Sequence, residues 1–169
     1  GNPNWAMKGN GLVVLEWGRN LRILDLVTGS SRQLDKEGIP GITNGVAISR
    51  DENKVSFCQR VGNSQTIFDL VVASLDGTAA PKAYRRGELC TGFGWHPDGN
   101  RIVFCEGAKG SQMFILNTET EKITPVPGDK TQSYVNASFT PDGKRIVVSS
   151  TLRLDENDSD SDESVKVDE

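Results

Sequence analysis

The stretch that decides the fold is Trp95–Cys105, which reads WHPDGNRIVFC. Pro97, Asp98 and Gly99 favour a tight turn, because Pro presets φ, Asp accepts hydrogen bonds from its own backbone, and Gly tolerates a positive φ. An apolar run flanks the turn on each side, and the second run is Ile102–Cys105. The stretch therefore predicts a β-hairpin.

The hairpin pattern recurs along the chain. Thr140–Ser149 (TPDGKRIVVS) repeats it 44 residues later, and a weaker copy, Ser49–Cys58, lies 47 residues earlier. A degraded copy, Met7–Val14, stands about one further period towards the N-terminus. A period of roughly 40 to 50 residues with four short strands in each repeat is typical of a β-propeller blade.

The repeat divides the chain into four predicted units, residues 1–41, 42–88, 89–129 and 130–154. We predict an all-β fold, a partial β-propeller of four-stranded antiparallel blades with about 3.5 blades and little or no helix. Pro81 and Pro125 both fall in predicted fourth strands, where an outer edge tolerates a missing backbone donor. Residues 155–169 are predicted to form an acidic, disordered C-terminal tail.

Composition and charge exclude several classes of function. The net charge is −4, but the tail alone, with eight acidic residues and one Lys, carries −7 and the rest of the chain +3. A nearly neutral body argues against a nucleic-acid binder that acts by neutralising phosphates. No stretch approaches the roughly 18 consecutive apolar residues that a membrane span needs.

The three cysteines match no zinc-binding or disulfide framework. Cys58 and Cys105 follow a Phe at the same place in two repeats, so we predict small, buried, reduced thiols. Reduced thiols favour a compartment such as the cytoplasm.

No catalytic motif is present, and we expect neither an enzyme nor a cofactor or metal ligand. His96 is the only histidine, and its place in a turn favours a structural role. Recurring carboxylates can indicate a catalytic pair, but recurrence at the blade period favours turn caps instead. The predicted turn-structural residues are Pro97, Asp98, Gly99, Pro141, Asp142 and Gly143.

The pattern Ser/Thr/His-Pro-Asp-Gly-Lys/Asn-Arg-Ile-Val-Phe, followed by a strand such as Met113–Asn117, resembles the propeller repeats of the TolB-like family. It is similar as well to repeats in the propeller domains of prolyl oligopeptidases, dipeptidyl peptidase IV relatives and tricorn-type proteases. The resemblance covers residues 41–150 well and residues 1–40 only by phase. It implies blades of a six- or seven-bladed ring, a partner-binding function, and the periplasm as the alternative compartment.

The resemblance implies a non-catalytic module for protein–protein interaction or scaffolding. The alternative is the substrate-gating propeller of a serine peptidase whose catalytic domain is absent from this chain, and a third, weaker option is a lectin. Open end-blades expose apolar faces and strand edges, so we expect a protein partner or self-association to complete the ring. The candidate contact residues lie in loops between second and third strands: Arg60, Asn63, Gln65, Lys109 and Ser111.

Overall fold

The structure, a computed structural model, describes residues 4–6, 9–16, 20–34, 42–88, 91–107 and 112–152. These residues form fourteen β-strands and no α-helix. The strands build four antiparallel sheets, which we call blades 1 to 4. The predicted all-β, partial β-propeller architecture is confirmed.

Each blade is a run of strands that follow one another in chain order. Blade 1 contains β1 (Asn4–Ala6), β2 (Gly11–Glu16), β3 (Asn20–Asp25) and β4 (Ser31–Gln33). Blade 2 contains β5 (Ile42–Ile48), β6 (Lys54–Arg60), β7 (Ile67–Ser74) and β8 (Lys82–Glu88). Blade 3 contains β9 (Thr91–Trp95), β10 (Arg101–Glu106), β11 (Gln112–Asn117) and β12 (Ile123–Pro125). Blade 4, within the described residues, contains β13 (Gln132–Phe139) and β14 (Ile146–Leu152).

The first strands of successive blades lie side by side. β1 contacts β5, β5 contacts β9, and β9 contacts β13, so these four strands surround a common axis. The predicted hairpin at Trp95 joins the first two strands of blade 3, with Ile102 opposite Trp95 and Val103 opposite Gly94. The fourth strand of each complete sheet therefore lies on the outside of the arc.

The core consists of three apolar clusters, and each cluster fills the joint between two neighbouring blades. The first lies between blades 1 and 2, the second between blades 2 and 3, and the third between blades 3 and 4. β6 and β10 are buried on both faces because each is packed between two other blades. This double burial explains why their sequences are continuously apolar or small rather than alternating.

Cys58 and Cys105 are buried thiols outside any disulfide, as predicted. Pro125 ends β12 opposite Phe114, on the outer edge of blade 3. The placement of Pro81 inside a strand is wrong by one residue, since β8 begins at Lys82. Pro81 cannot donate a ladder hydrogen bond, and the paired strand starts directly after it.

The innermost strands share a bulge that the sequence analysis missed. Gly45, Gly92 and Asn136 stand four residues before Ser49, His96 and Thr140, and all three have a positive φ of 56° to 70°. The pairing registers of β5, β9 and β13, the first strands of blades 2, 3 and 4, shift at this position. Gly92 approaches blade 4 so closely that a Cβ there would lie 2.5 Å from the Cα of Asn136. The bulge thus brings the first strands close together around the axis.

Candidate functional site

The arc presents two rims with different chemistry. The hairpins that join second to third strands lie at one rim, which we call the loop rim and define by residues 60–66 and by Gly107. The turns that join first to second strands lie at the opposite rim, which we call the turn rim and define by residues 49–53, 96–100 and 140–144.

The loop rim carries exposed polar side chains. Arg60, Asn63 and Gln65 are exposed, and their side chains form no hydrogen bond with any other described residue. Ser64 fixes the loop beneath them, because its Oγ accepts hydrogen bonds from the backbone amides of Thr66 (3.2 Å) and Ile67 (2.9 Å). The loop is therefore a firmly anchored backbone that displays unengaged polar groups.

The other two candidate contact residues, Lys109 and Ser111, lie outside the described residues. The structure does describe Gly107, the first residue of the loop that contains them. The amide of Gly107 donates a hydrogen bond to the carbonyl oxygen of Glu88 (3.3 Å), which ties this side of blade 3 to blade 2.

The turn rim holds the recurring carboxylates, and each binds its own turn. Asp98 Oδ1 accepts hydrogen bonds from the amides of Asn100 (2.9 Å) and Arg101 (3.2 Å). Asp142 Oδ1 accepts from the amide of Lys144 (3.0 Å) and from the hydroxyl of Thr140 (2.5 Å). These contacts are those of a side chain that caps a turn. Gly99 and Gly143 follow the two carboxylates with φ values of 74° and 71°, and Pro97 and Pro141 precede them.

The same contacts lower the pKa of these carboxyls. Partial burial of Asp98 raises its pKa, but the Asn100 amide, the Arg101 guanidinium and the His96 ring outweigh this and lower the pKa to about 2. The hydroxyl of Thr140, followed by the amide of Lys144, lowers the pKa of Asp142. Both groups are ionised hydrogen-bond acceptors at neutral pH, which does not suit a general acid.

His96 lies in the joint between blades 3 and 4. Its Nε2 is 3.2 Å from the carbonyl oxygen of Gly143, and its ring meets the Phe139 ring edge-on at 4.8 Å. A Cβ on Gly143 would collide with the imidazole. Asp98 Oδ2 lies 3.0 Å from Nδ1 of the same ring. The only histidine is therefore packed into a blade joint.

Three charged side chains that the sequence analysis did not single out tie the blades together. Lys54 Nζ of blade 2 donates to the carbonyl oxygen of Gly99 (3.1 Å) and to Asn100 Oδ1 (2.9 Å) of blade 3. Arg50 of blade 2 reaches the carbonyl oxygen of Pro141 in blade 4 (2.9 Å). Arg50 and Lys54 are thus engaged in contacts between blades.

The third of these side chains, Glu106 of blade 3, forms a two-pronged ion pair with Arg85 of blade 2 at 2.8 and 2.9 Å. Its carboxylate occupies the space that a side chain on Gly87 would fill. The sequence signal for Lys54 and for its counterparts Arg101 and Arg145 is a basic residue three positions after each turn Asp. No such periodic signal marks Glu106.

Neither a metal site nor a membrane helix emerges from the described part of the chain. Within it, no group of three His, Cys, Asp or Glu side chains is placed to hold a metal ion. The same residues include no helix long and apolar enough to cross a membrane.

Four-stranded sheets stacked around an axis define a β-propeller protein. Among β-propellers, the solved structures that are similar to this chain indicate a TolB-like β-propeller fold. A putative TolB from Agrobacterium tumefaciens matches with a TM-score of 0.71 at 17% identity over 89% of this chain and 57% of its own. An oligogalacturonate lyase in complex with manganese matches with a TM-score of 0.72 at 16% identity over 89% of this chain and 46% of its own.

A protease propeller is similar as well. The β-propeller domain of the Trilobed protease from Pyrococcus furiosus matches with a TM-score of 0.61 at 18% identity, over 88% of this chain and 47% of that domain. No protein-family model matches this sequence, and no curated protein matches it. The chain spans about half the length of these solved structures.

Proposed function

We propose that this chain is a non-catalytic propeller module that binds a protein partner through its loop rim. The observation that carries the proposal is the contrast between the two rims. The three Asp carboxylates of the turn rim, Asp51, Asp98 and Asp142, cap their own turns. In contrast, Arg60, Asn63 and Gln65 of the loop rim are exposed and unengaged. A rigid sheet scaffold with polar loops at one end is a common arrangement for recognition.

The composition of the loop fits a protein surface as its target. Arg60 can donate to a carboxylate or a backbone carbonyl, and the amides of Asn63 and Gln65 both donate and accept. Because Ser64 anchors the loop backbone, ordering this loop on binding costs little conformational entropy. Lys109 and Ser111 belong to the proposed surface by their place in the repeat.

The test is affinity capture with cross-linking, in which the loop-rim variant R60E/N63A is compared with the intact chain. The matched control is T120A/K122E, which makes the same charge change in an exposed turn on the other rim. We expect the variant to lose a captured partner at least tenfold while the control retains it. Equal retention by all three proteins, or equal loss in both variants, would refute the loop rim as the contact surface.

The alternative is the propeller portion of a serine peptidase. A puromycin-hydrolyzing peptidase from Mycobacterium tuberculosis is among the similar structures, with a TM-score of 0.65 at 13% identity. In that case the captured partner reacts with a fluorophosphonate probe, which labels an activated serine nucleophile. A partner that does not react with the probe supports the non-catalytic module.

A further inference from the structure

The most strongly charged stretch of the sequence follows the last described strand. Residues 155–169 lie outside the described residues, contain eight acidic residues and one Lys, and carry a charge of −7. β14, the second strand of blade 4, holds the place that β6 and β10 hold in blades 2 and 3. Both of those strands run from the turn rim to the loop rim. The chain therefore leaves β14 at the loop rim.

An unpaired cation stands beside this exit. The last residue of β14 lies opposite Gln132, which directly follows the connection 126–131 between blades 3 and 4. This connection carries Lys130, which is exposed and forms no ion pair or hydrogen bond through its side chain with any described residue. The carboxylate next to it, Asp129, is already engaged, because its Oδ1 accepts hydrogen bonds from the amide (2.8 Å) and the hydroxyl (2.7 Å) of Thr131.

Arg60 of blade 2 is a second exposed and unpaired cation at the same rim. Its loop, residues 60–66, contains no Asp or Glu. Two carboxylates near this end of blades 2 and 3, Asp69 and Glu106, are each held in a two-pronged ion pair by an Arg of β8 and are only 14% exposed. Glu88, at the end of β8, is engaged as well. The unpaired charges that the rim offers to an incoming group are therefore cationic.

The turn rim is the less favourable surface for an acidic segment. It carries a carboxylate in each of its three turns, Asp51, Asp98 and Asp142, and like charges repel. Its exposed cation Lys144 stands only two residues after Asp142. A segment that starts at the loop rim would also have to run back along the whole of β14, which is about 23 Å for seven residues.

Residues 155–169 are long enough to reach both cations of the loop rim. An extended segment of this length spans up to about 50 Å. Stacked sheets pack about 10 Å apart, so Arg60 in blade 2 lies roughly 20 Å from blade 4. Single exposed ion pairs are weak, but a tethered segment meets the rim at an effective concentration in the millimolar range. Several carboxylates can therefore share two cations without a separate binding step for each.

We propose that residues 155–169 lie across the loop rim of their own chain, with carboxylates on Lys130 and Arg60, and compete there with the protein partner. The competition rests on the proposed function, whereas the contact itself does not. This segment is the occupant because it carries the opposite charge and leaves the sheets at this rim. A partner that binds Arg60 must then displace the segment, so the chain limits access to its own contact surface.

Carbodiimide coupling of the full chain, read by mass spectrometry, tests the contact, because it joins an amine to a carboxylate only where the two groups meet. The variant R60K supplies an amine at the second cation. We expect Lys130, and position 60 of R60K, to couple to residues 155–169 at least fivefold more than Lys122 and Lys144, two exposed lysines of the turn rim. A mixture of isotope-labelled and unlabelled chains separates coupling within one chain from coupling between chains.

Salt distinguishes an electrostatic contact from simple tethering. The screening length falls from about 8 Å at 0.15 M salt to about 3 Å at 1 M. The excess coupling at Lys130 and at position 60 of R60K should therefore fall at least threefold, while coupling at Lys122 and Lys144 changes little. Equal coupling at the two rims, coupling mainly between chains, or an excess that does not change with salt would overturn the contact.

Partner capture tests the competition. The variant is the full chain with the eight acidic residues of 155–169 replaced by their amides, Asp by Asn and Glu by Gln. We expect it to capture at least threefold more partner than the intact chain, and unchanged or weaker capture would overturn the competition. R60E/N63A keeps the two failures apart. If that variant retains the partner, the proposed function fails and the competition with it, and the coupling experiment alone decides the contact.

Discussion

Two valines at the same repeat position test the stacking of the blades quantitatively. Val103 is fully buried in the joint between blades 3 and 4, whereas Val147 is 63% exposed. Truncation to Ala removes the same two methyl groups at each position. The two substitutions therefore differ only in what surrounds the side chain.

The expected costs follow from burial. Removing two methyl groups from Val103 forfeits about 1.6 kcal/mol of transfer free energy, and the cavity adds about 1 kcal/mol. For Val147 roughly a third of the transfer term applies and no enclosed cavity forms, so V147A costs about 0.5 kcal/mol. We expect V103A to lower the free energy of unfolding by about 2 kcal/mol more than V147A.

Urea unfolding followed by tryptophan fluorescence measures this difference, at a concentration low enough to keep the chain monomeric. Trp95 is a suitable reporter, because its Nε1 donates to the carbonyl oxygen of Ala47 across the joint between blades 2 and 3 (3.2 Å). Equal costs for the two substitutions in the monomer would refute the stacking of blade 4 on blade 3.

Three further predictions concern single positions. The pKa of Asp98 is lowered to about 2. The stability that this carboxylate contributes is therefore present above its unfolded pKa of about 3.9 and is lost as the pH falls towards 2. In urea titrations at several pH values, D98N should flatten this part of the curve of unfolding free energy against pH. G94A should lower the free energy of unfolding by at least about 2 kcal/mol in the same assay, because its Cβ would lie 2.5 Å from the Cα of Ser138. A loss below about 0.5 kcal/mol would contradict the close approach of β9 and β13. E106Q should lower the free energy of unfolding by only about 0.5 to 1 kcal/mol, since its partner Arg85 is 42% exposed. Added salt should reduce this difference between E106Q and the unsubstituted chain, because salt screens exposed ion pairs. A difference that does not change with salt would argue against an ionic contribution.

The parts of the fold that follow from local chemistry were predictable. The Pro97-Asp98-Gly99 turn and the apolar runs beside it specify a hairpin within about ten residues. The recurrence of the hairpin then specifies the blade, because one blade cannot bury both faces of its middle strand alone. The continuous burial of β10 bears this out.

The contacts between blades were not predictable, because they join residues far apart in the sequence. Arg50 and Pro141 are 91 positions apart, and nothing local to either residue indicates that they meet. The packing of His96 against Gly143 likewise depends on the stacking geometry. The positive φ at Asn136 had a weak signal, since Asn tolerates this conformation and Gly stands at the matching positions Gly45 and Gly92.

The candidate contact residues were predicted from their place between second and third strands, and a repeat fixes that place well. What the repeat cannot supply is the identity of a partner, because the blade pattern reflects packing and the loops vary independently of it. Arg60, Asn63 and Gln65 are thus placed by the fold, and their role stays a prediction.

Hydrogen exchange of the backbone amides tests most directly the claim that the described sheets are stacked propeller blades, the fourth with two described strands. At a concentration that keeps the chain monomeric, we expect β6 and β10, each central in a complete sheet and buried on both faces, to exchange most slowly. β14 pairs on its outer edge with no described strand and carries the exposed Val147, so it should exchange much faster. Equal protection of β14 and β10 in the monomer would contradict the account.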